Sequence, residues 1–261
     1  YCETQRVPTG TALAEYGPGQ YEVNLHHVAD ACLACDHAIR LKRIVHGVAM
    51  RHGMEATFMP KPYADMAGSG AHIHVSLLDR SGRNVFASDD PAGSEALRHA
   101  IGGLATHMAD SMLVFAPTIN AYRRFRPEAY VPLAASWGVN NRGVALRVPV
   151  SDADNRRIEH RVAGADANPY LLAACVLAAM LDGIDKRLDP GAPINGNAYR
   201  DTPDTLPHTW PDTLRAFSQS TFIREYLGTD FQRLYATTRH GEFRSFEAQV
   251  SALDHQWYLR C

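Results

Sequence analysis

The sequence has no apolar run long enough to cross a bilayer. Its longest, Leu171 to Leu181, falls well short of the roughly 20 residues a span needs and reads as a buried helix. No block of like charge occurs either. The 26 Lys and Arg residues nearly balance the 28 Asp and Glu, for a formal net charge of −2, so no basic surface is offered to nucleic acid. Neither a membrane nor a nucleic-acid partner is expected. Only five cysteines are present, an odd number and scattered, which rules out a disulfide scaffold and suits a reducing compartment. Cys32 and Cys35 form a CxxC with no second pair, inside a helical pattern, so they read as helix cysteines rather than a zinc site. The chain opens on Tyr1 without a charged-then-apolar leader, and a cytoplasmic location is expected. No Walker-type glycine loop is found, so a nucleotide would have to be held another way. What is there, 46% hydrophobic residues over 261, can bury the core of one large domain or two small ones.

Helices declare themselves by spacing and caps. Asp30 to Arg51 puts Leu33, Leu41, Ile44, Val45 and Val48 on one face, with Gly53 at a C-cap position. Ser94 can cap a helix carrying Leu97, Ile101, Leu104 and Met108. Asn168-Pro169 opens a helix to about Arg187, apolar nearly all round and therefore expected to be central. The run Phe243, Phe246, Val250, Leu253, Trp257 reads as one more amphipathic stripe packed on the core. Alternating segments at Leu13–Leu25, Ala71–Leu78, Val144–Val150 and Arg157–Val162 read as strands, with a turn at Asp79–Gly82. Pro60–Gly70 and Tyr122–Pro132 read as long loops over a site. Strands meet through short turns as often as through helices. The expected fold class is therefore α+β, a curved, mainly antiparallel sheet with helices on its outer face.

The charged residues are patterned. Arg157, Glu159 and Arg161 alternate with Ile158, His160 and Val162, so the three charges share one strand face. His72, His74 and Ser76 share another, directly after Gly68-Ser69-Gly70. Glu15 and Glu22 flank Gly17-Pro18-Gly19, an expected bulge that resets the strand phase so that both reach one site. Arg142 and Arg147 bracket a strand, and Arg123-Arg124 open a loop. Singly, each feature is ordinary: a strand histidine more often packs, and an Arg-x-Glu-x-Arg is more often a solvated ion-pair ladder. Jointly, on the strands of one sheet, carboxylates with an imidazole suit Mg²⁺ or Mn²⁺. The arginines suit phosphates and carboxylates. The combination points to phosphoryl transfer.

Several strings carry a resemblance: Ala56-Thr-Phe-Met-Pro-Lys-Pro62, Gly68-Ser-Gly-Ala-His-Ile-His74-Val-Ser76, Gly19-Gln20-Tyr21-Glu22, Asn120-Ala-Tyr-Arg-Arg124, Asn141-Arg142, Arg147-Val-Pro149, Arg156-Arg-Ile-Glu159-His-Arg161 and Asn168-Pro-Tyr170. Taken in their order along the chain, from about Ala12 onward, they resemble the catalytic domain of the glutamine synthetase family, nearest its γ-glutamylpolyamine branch. The resemblance implies metal ligands at Glu15 and Glu22 for one cation and at His72 and Glu159 for a second, with two or three Mg²⁺ or Mn²⁺ per complete site. It implies nucleotide contacts at His74, Ser76, Arg142, Arg147 and Arg157. Gly68, Arg124 and Arg161 would hold glutamate or the transferring phosphate, with Arg124, Arg142 and Tyr130 acting in catalysis. The implied reaction is ATP-dependent: the glutamate γ-carboxylate takes the γ-phosphoryl group, and an amine displaces phosphate. The implied partners are glutamate, an amine and ATP, within a homo-oligomeric ring.

Three departures shape the expectation. The family's Gly-x-Glu-x-Glu segment and the small domain ahead of it have no counterpart in 1–261, so this stretch is read as a catalytic domain incomplete at its N-terminus. The flap Pro127-Glu128-Ala129-Tyr130-Val131-Pro132 has Tyr130 where ammonia-using members have a glutamate. That favours an alkyl mono- or polyamine such as putrescine, with ammonium as the alternative and a non-catalytic member or inactive fragment as a second. Finally, Ala67 replaces an Asn beside the glutamate amino group, and Asp154 a Lys near the nucleotide.

Overall fold

The computed structural model describes all 261 residues. An antiparallel hairpin of β1 (Thr9–Ala14) and β2 (Tyr21–Leu25) leads into helix α1 (Ala31–Arg51). Strand β3 (Ile73–Val75) follows, then helices α2 (Glu95–Thr106) and α3 (Met108–Phe115) and a 3-10 turn at Ala121–Arg124. Three strands come next: β4 (Trp137–Val139), β5 (Leu146–Val148) and β6 (Ile158–His160). The chain ends in helices α4 (Pro169–Lys186), α5 (Ala198–Asp201), α6 (Trp210–Gln219), α7 (Thr221–Leu227), α8 (Thr229–Glu247) and α9 (Ala252–Tyr258).

The expected α+β class holds, but the strands form two sheets. β1-β2 stands apart from a four-stranded sheet of order β3-β6-β5-β4, whose β4–β5 pair is parallel. Leu13–Leu25 is thus a hairpin, and Gly17-Pro18-Gly19 is its turn rather than a bulge. The Gln20 N–H donates to the Gly17 carbonyl, and Gly19 takes φ +71°. The hairpin still puts Glu15 and Glu22 on one face. Leu13 pairs with Glu22, and the Glu15 N–H donates to the Gln20 carbonyl, so strand alternation aligns the two carboxylates.

The helix caps match the sequence. Asp30, Ser94 and Asn168 each accept backbone N–H bonds at the starts of α1, α2 and α4. One apolar face of the sheet (Ile158, Leu146, Val148) joins Leu97, Ile101, Met112, Val176 and Met180 in a single core, each fully buried large side chain contributing about 2 kcal/mol of transfer free energy. Helix α4 is less enclosed than its composition suggests, since Leu177 and Leu181 face solvent. Its one buried charge, Asp182, accepts hydrogen bonds from the Tyr226 hydroxyl and the Lys186 ammonium and sits 2.7 Å from His107 Nε2. The C-terminal stripe does not pack as expected. Phe243 touches the core, but Phe246, Val250, Leu253 and Trp257 are all exposed, with a break between α8 and α9.

Candidate active site

The sheet's second face is polar because its strands alternate. His74, Glu159 and Arg147 stand side by side across β3, β6 and β5. Glu159 is buried, and both its oxygens are engaged: Arg161 Nη1 donates to Oε1 at 2.5 Å and Arg147 Nη1 to Oε2 at 2.8 Å. Burial works to raise the Glu159 pKa, but Arg161 and the Arg147 bond overcome it and hold the carboxyl below its usual range. Arg147 also donates to Asn140 Oδ1, Arg161 Nη2 to the Arg142 carbonyl, and Arg157 Nε to His74 Nδ1. Arg142 therefore joins the face through its backbone, and its exposed side chain makes no hydrogen bond or ion pair of its own. Ser76 lies on the exposed continuation of the same face.

His72 Nδ1 is 3.4 Å from Glu159 Oε1. Burial, Arg161 and Arg124 push the imidazole down to about 4, against the pull of Glu159. The ring is therefore neutral near neutral pH, and this contact is not an ion pair. A neutral imidazole beside a carboxylate is a nitrogen–oxygen donor pair that fits a divalent cation. Glu15 and Glu22, aligned on the hairpin, fit as an oxygen pair for another. No three such donors converge in this chain, so each pair is a partial ligand set.

Arg124 is buried behind the loop that carries Gly68. A Cβ at Gly68 would lie 2.8 Å from Arg124 Cγ and 2.9 Å from the Pro60 carbonyl oxygen, so only glycine admits this approach. Arg124 Nη1 donates to the Val162 carbonyl, Nε is buried without a partner, and Nη2 lies beside Gly70 and His72. Two side chains that carry no charge hold the loop. Asn120 exchanges two hydrogen bonds with the Lys61 backbone, and Gln20 Nε2 donates to the Gly68 carbonyl and to Ser69 Oγ. Both residues lie inside the motifs Asn120–Arg124 and Gly19–Glu22, which were the available signal. Gln20 ties the hairpin's turn to the active-site loop, and so links the two sheets.

Tyr130 lies on the exposed stretch Arg126–Tyr130, anchored by buried Phe125 and Val131. Glu128 and Tyr130 both take left-handed backbone angles, φ +61° and +54°, strain of order 1–3 kcal/mol each. The Tyr199 hydroxyl donates to the Val131 carbonyl, and its ionisation responds first to burial and then also to Arg161 and Tyr130. Tyr199 thereby ties the flap to helix α5.

The sequence profile of the glutamine synthetase catalytic domain matches residues 1–258. The γ-glutamylputrescine synthetase PuuA of Escherichia coli is 42% identical over 259 residues, 99% of this chain and 55% of that protein. The glutamate–isopropylamine ligase of a Pseudomonas species is 36% identical over 251 residues, 94% of this chain and 54% of that protein. A glutamine synthetase of Halobacterium salinarum is 35% identical over 255 residues, 94% and 56% respectively. The solved structure of ligand-free GmaS superimposes with a TM-score of 0.90 at 32% identity, covering all of this chain and 61% of that one. The chain thus spans about half the length of the curated relatives it matches.

Proposed function

We propose, from the premise that this chain belongs to the glutamine synthetase catalytic-domain family, that the whole protein joins the γ-carboxylate of glutamate to an alkyl amine at the expense of ATP. The observation that carries the reading is the row His74–Glu159–Arg147, flanked by His72, Arg157 and Arg161, on one sheet face. Two anions, the glutamate γ-carboxylate and the ATP γ-phosphate, must meet there, and their repulsion must first be cancelled.

Arg161 and Arg147 supply fixed positive charge, oriented by Glu159, and need no reorganisation at the moment of reaction. Arg124 adds a guanidinium held rigid by burial, with Nη2 open beside Gly70 and His72. Gly68 keeps the loop backbone close enough to Arg124 for both to touch the same substrate. His74, Ser76, Arg157, Arg147 and Arg142 are assigned to the nucleotide. In the first step the γ-carboxylate oxygen attacks the γ-phosphorus, the bond to ADP breaks, and a γ-glutamyl phosphate forms. In the second, the amine nitrogen attacks the γ-carbon, phosphate leaves, and the amine gives up a proton. His72 with Glu159, and Glu15 with Glu22, would hold Mg²⁺ or Mn²⁺. When bound, those ions supply further neutralisation of phosphate charge. Residues 1–261 are the catalytic unit in this reading, and the remaining metal ligands come from outside it.

Tyr130 favours an alkyl amine because its ring can pack on methylenes and face an ammonium. Relatives named for putrescine and isopropylamine support that choice. Glu128, two residues away on the same flap, favours the second reading, ammonium. The test is phosphate release by the full-length protein with ATP, Mg²⁺, glutamate and a panel of amines. Faster release with putrescine or another alkyl amine than with ammonium is expected, and the reverse order would replace this reading with the second.

A further inference from the structure

Arg124 is a buried guanidinium with no carboxylate in ion-pair contact, an arrangement that is costly unless a counter-charge stands nearby. One does. Asp166 follows β6 by a short loop, and its charge acts on Arg124. Thr118 Oγ1 donates to Asp166 Oδ2 at 2.6 Å, which turns Oδ1, buried and unpartnered, the other way. From helix α1, Lys42 Nζ donates to the neighbouring Ala165 carbonyl at 2.6 Å and fixes the backbone of this loop.

Gly164 explains the geometry. A Cβ there would lie 2.4 Å from Asp166 Oδ1 and 3.3 Å from Arg124 Nη1. The carboxylate and the guanidinium therefore face each other across a space one methyl group would fill, and a glycine keeps it clear. We propose that Asp166 is the positioning residue for Arg124: across the Gly164 gap it supplies the counter-charge that holds the guanidinium on the Val162 carbonyl with Nη2 turned to the substrate side. Asp166 does not touch the reacting atoms. It also lines an open cavity of about 450 Å³ with Lys42, Phe58 and Thr118.

The proposal rests on the ligase reading for its kinetic consequence, but its geometry can be tested without it. In the full-length enzyme, Asp166→Asn should lower kcat/KM for glutamate about 10- to 100-fold, the scale of a roughly 1 Å misplacement. KM for ATP should move less than about twofold, and the melting temperature should fall, because the buried guanidinium loses its counter-charge. Asp166→Glu, whose extra methylene can occupy the gap, should recover most of the loss. Gly164→Ala should reproduce the selective loss with both charges still present. Unchanged glutamate kinetics in Asp166→Asn, or parallel changes for glutamate and ATP, would overturn the proposal. If the parent enzyme itself shows no glutamate-dependent phosphate release, the ligase reading fails alone. The positioning role is then decided by the crystal structure of Asp166→Asn. Loss of the Arg124 Nη1 bond to the Val162 carbonyl supports it, and an unmoved Arg124 rejects it.

Discussion

Glu159 is the residue on which the polar face turns, since its two oxygens organise Arg147 and Arg161 while His72 approaches from just before β3. Replacing it by Gln leaves two arginines without a counter-charge in a buried setting, which costs about 3 kcal/mol or more. We expect Glu159→Gln to lose activity entirely and to unfold at lower urea. An active, equally stable variant would show that Glu159 is only one bond among many. Gly68→Ala makes a different point: the Cβ meets Arg124 and the Pro60 carbonyl, so the loop or the arginine must shift. Glutamate turnover should fall by at least about tenfold, with little change in the circular dichroism of the helices. At this scale the sequence was informative about which charges share a face, because strand alternation is local. It was silent about the partners of Gln20 and Asp166, which lie 48 residues or more away, or across a gap defined by a glycine.

Elements were legible where their ends carry local signals. Asp30, Ser94 and Asn168 announce three helices by their caps. Helix α6 has the same kind of signal in Thr209 and Pro211, but its apolar spacing had drawn no assignment. Strand β4 is three residues long and includes Gly138, too little to show a period. The polar knot between α2 and α3, α4 and α7 offers an element-scale test. Burial opposes the charge on Asp182, but hydrogen bonds from Lys186, His107 and Tyr226 overcome it, so its folded pKa lies below the unfolded value. Its contribution is full above about pH 4 and is lost as the pH falls through the lowered pKa. Asp182→Asn should cost about 2 kcal/mol at pH 7, and its urea midpoint should converge with the parent's in that acid window. A constant gap down to the lowest pH would mean that the charge of Asp182 is irrelevant. Gln20→Ala tests the hairpin's attachment: the helices should be untouched while glutamate turnover drops about tenfold.

For the whole molecule, two expectations changed. The polar site is not carried by one sheet: a hairpin is docked to a four-stranded sheet through Gln20, and its carboxylate pair is a separate partial ligand set. Hydrophobic periodicity could not reveal this, because both sheets obey the same alternation. The C-terminal stripe has the spacing of a core helix, yet its Phe246, Val250, Leu253 and Trp257 are exposed. Exposed large apolar side chains in one segment mark a candidate interaction surface, and a second copy of the protein is one occupant it would fit. Trp257→Glu should shift the full-length protein to smaller species in analytical ultracentrifugation, whereas an unchanged mass would remove this segment from the interface. The central claim is that the γ-carboxylate of glutamate attacks the phosphorus of ATP. It is tested most directly by supplying glutamate labelled with ¹⁸O in that carboxylate, together with ATP, Mg²⁺ and putrescine, and weighing the phosphate released. The account predicts one ¹⁸O in each phosphate formed; product appearing with unlabelled phosphate would contradict it.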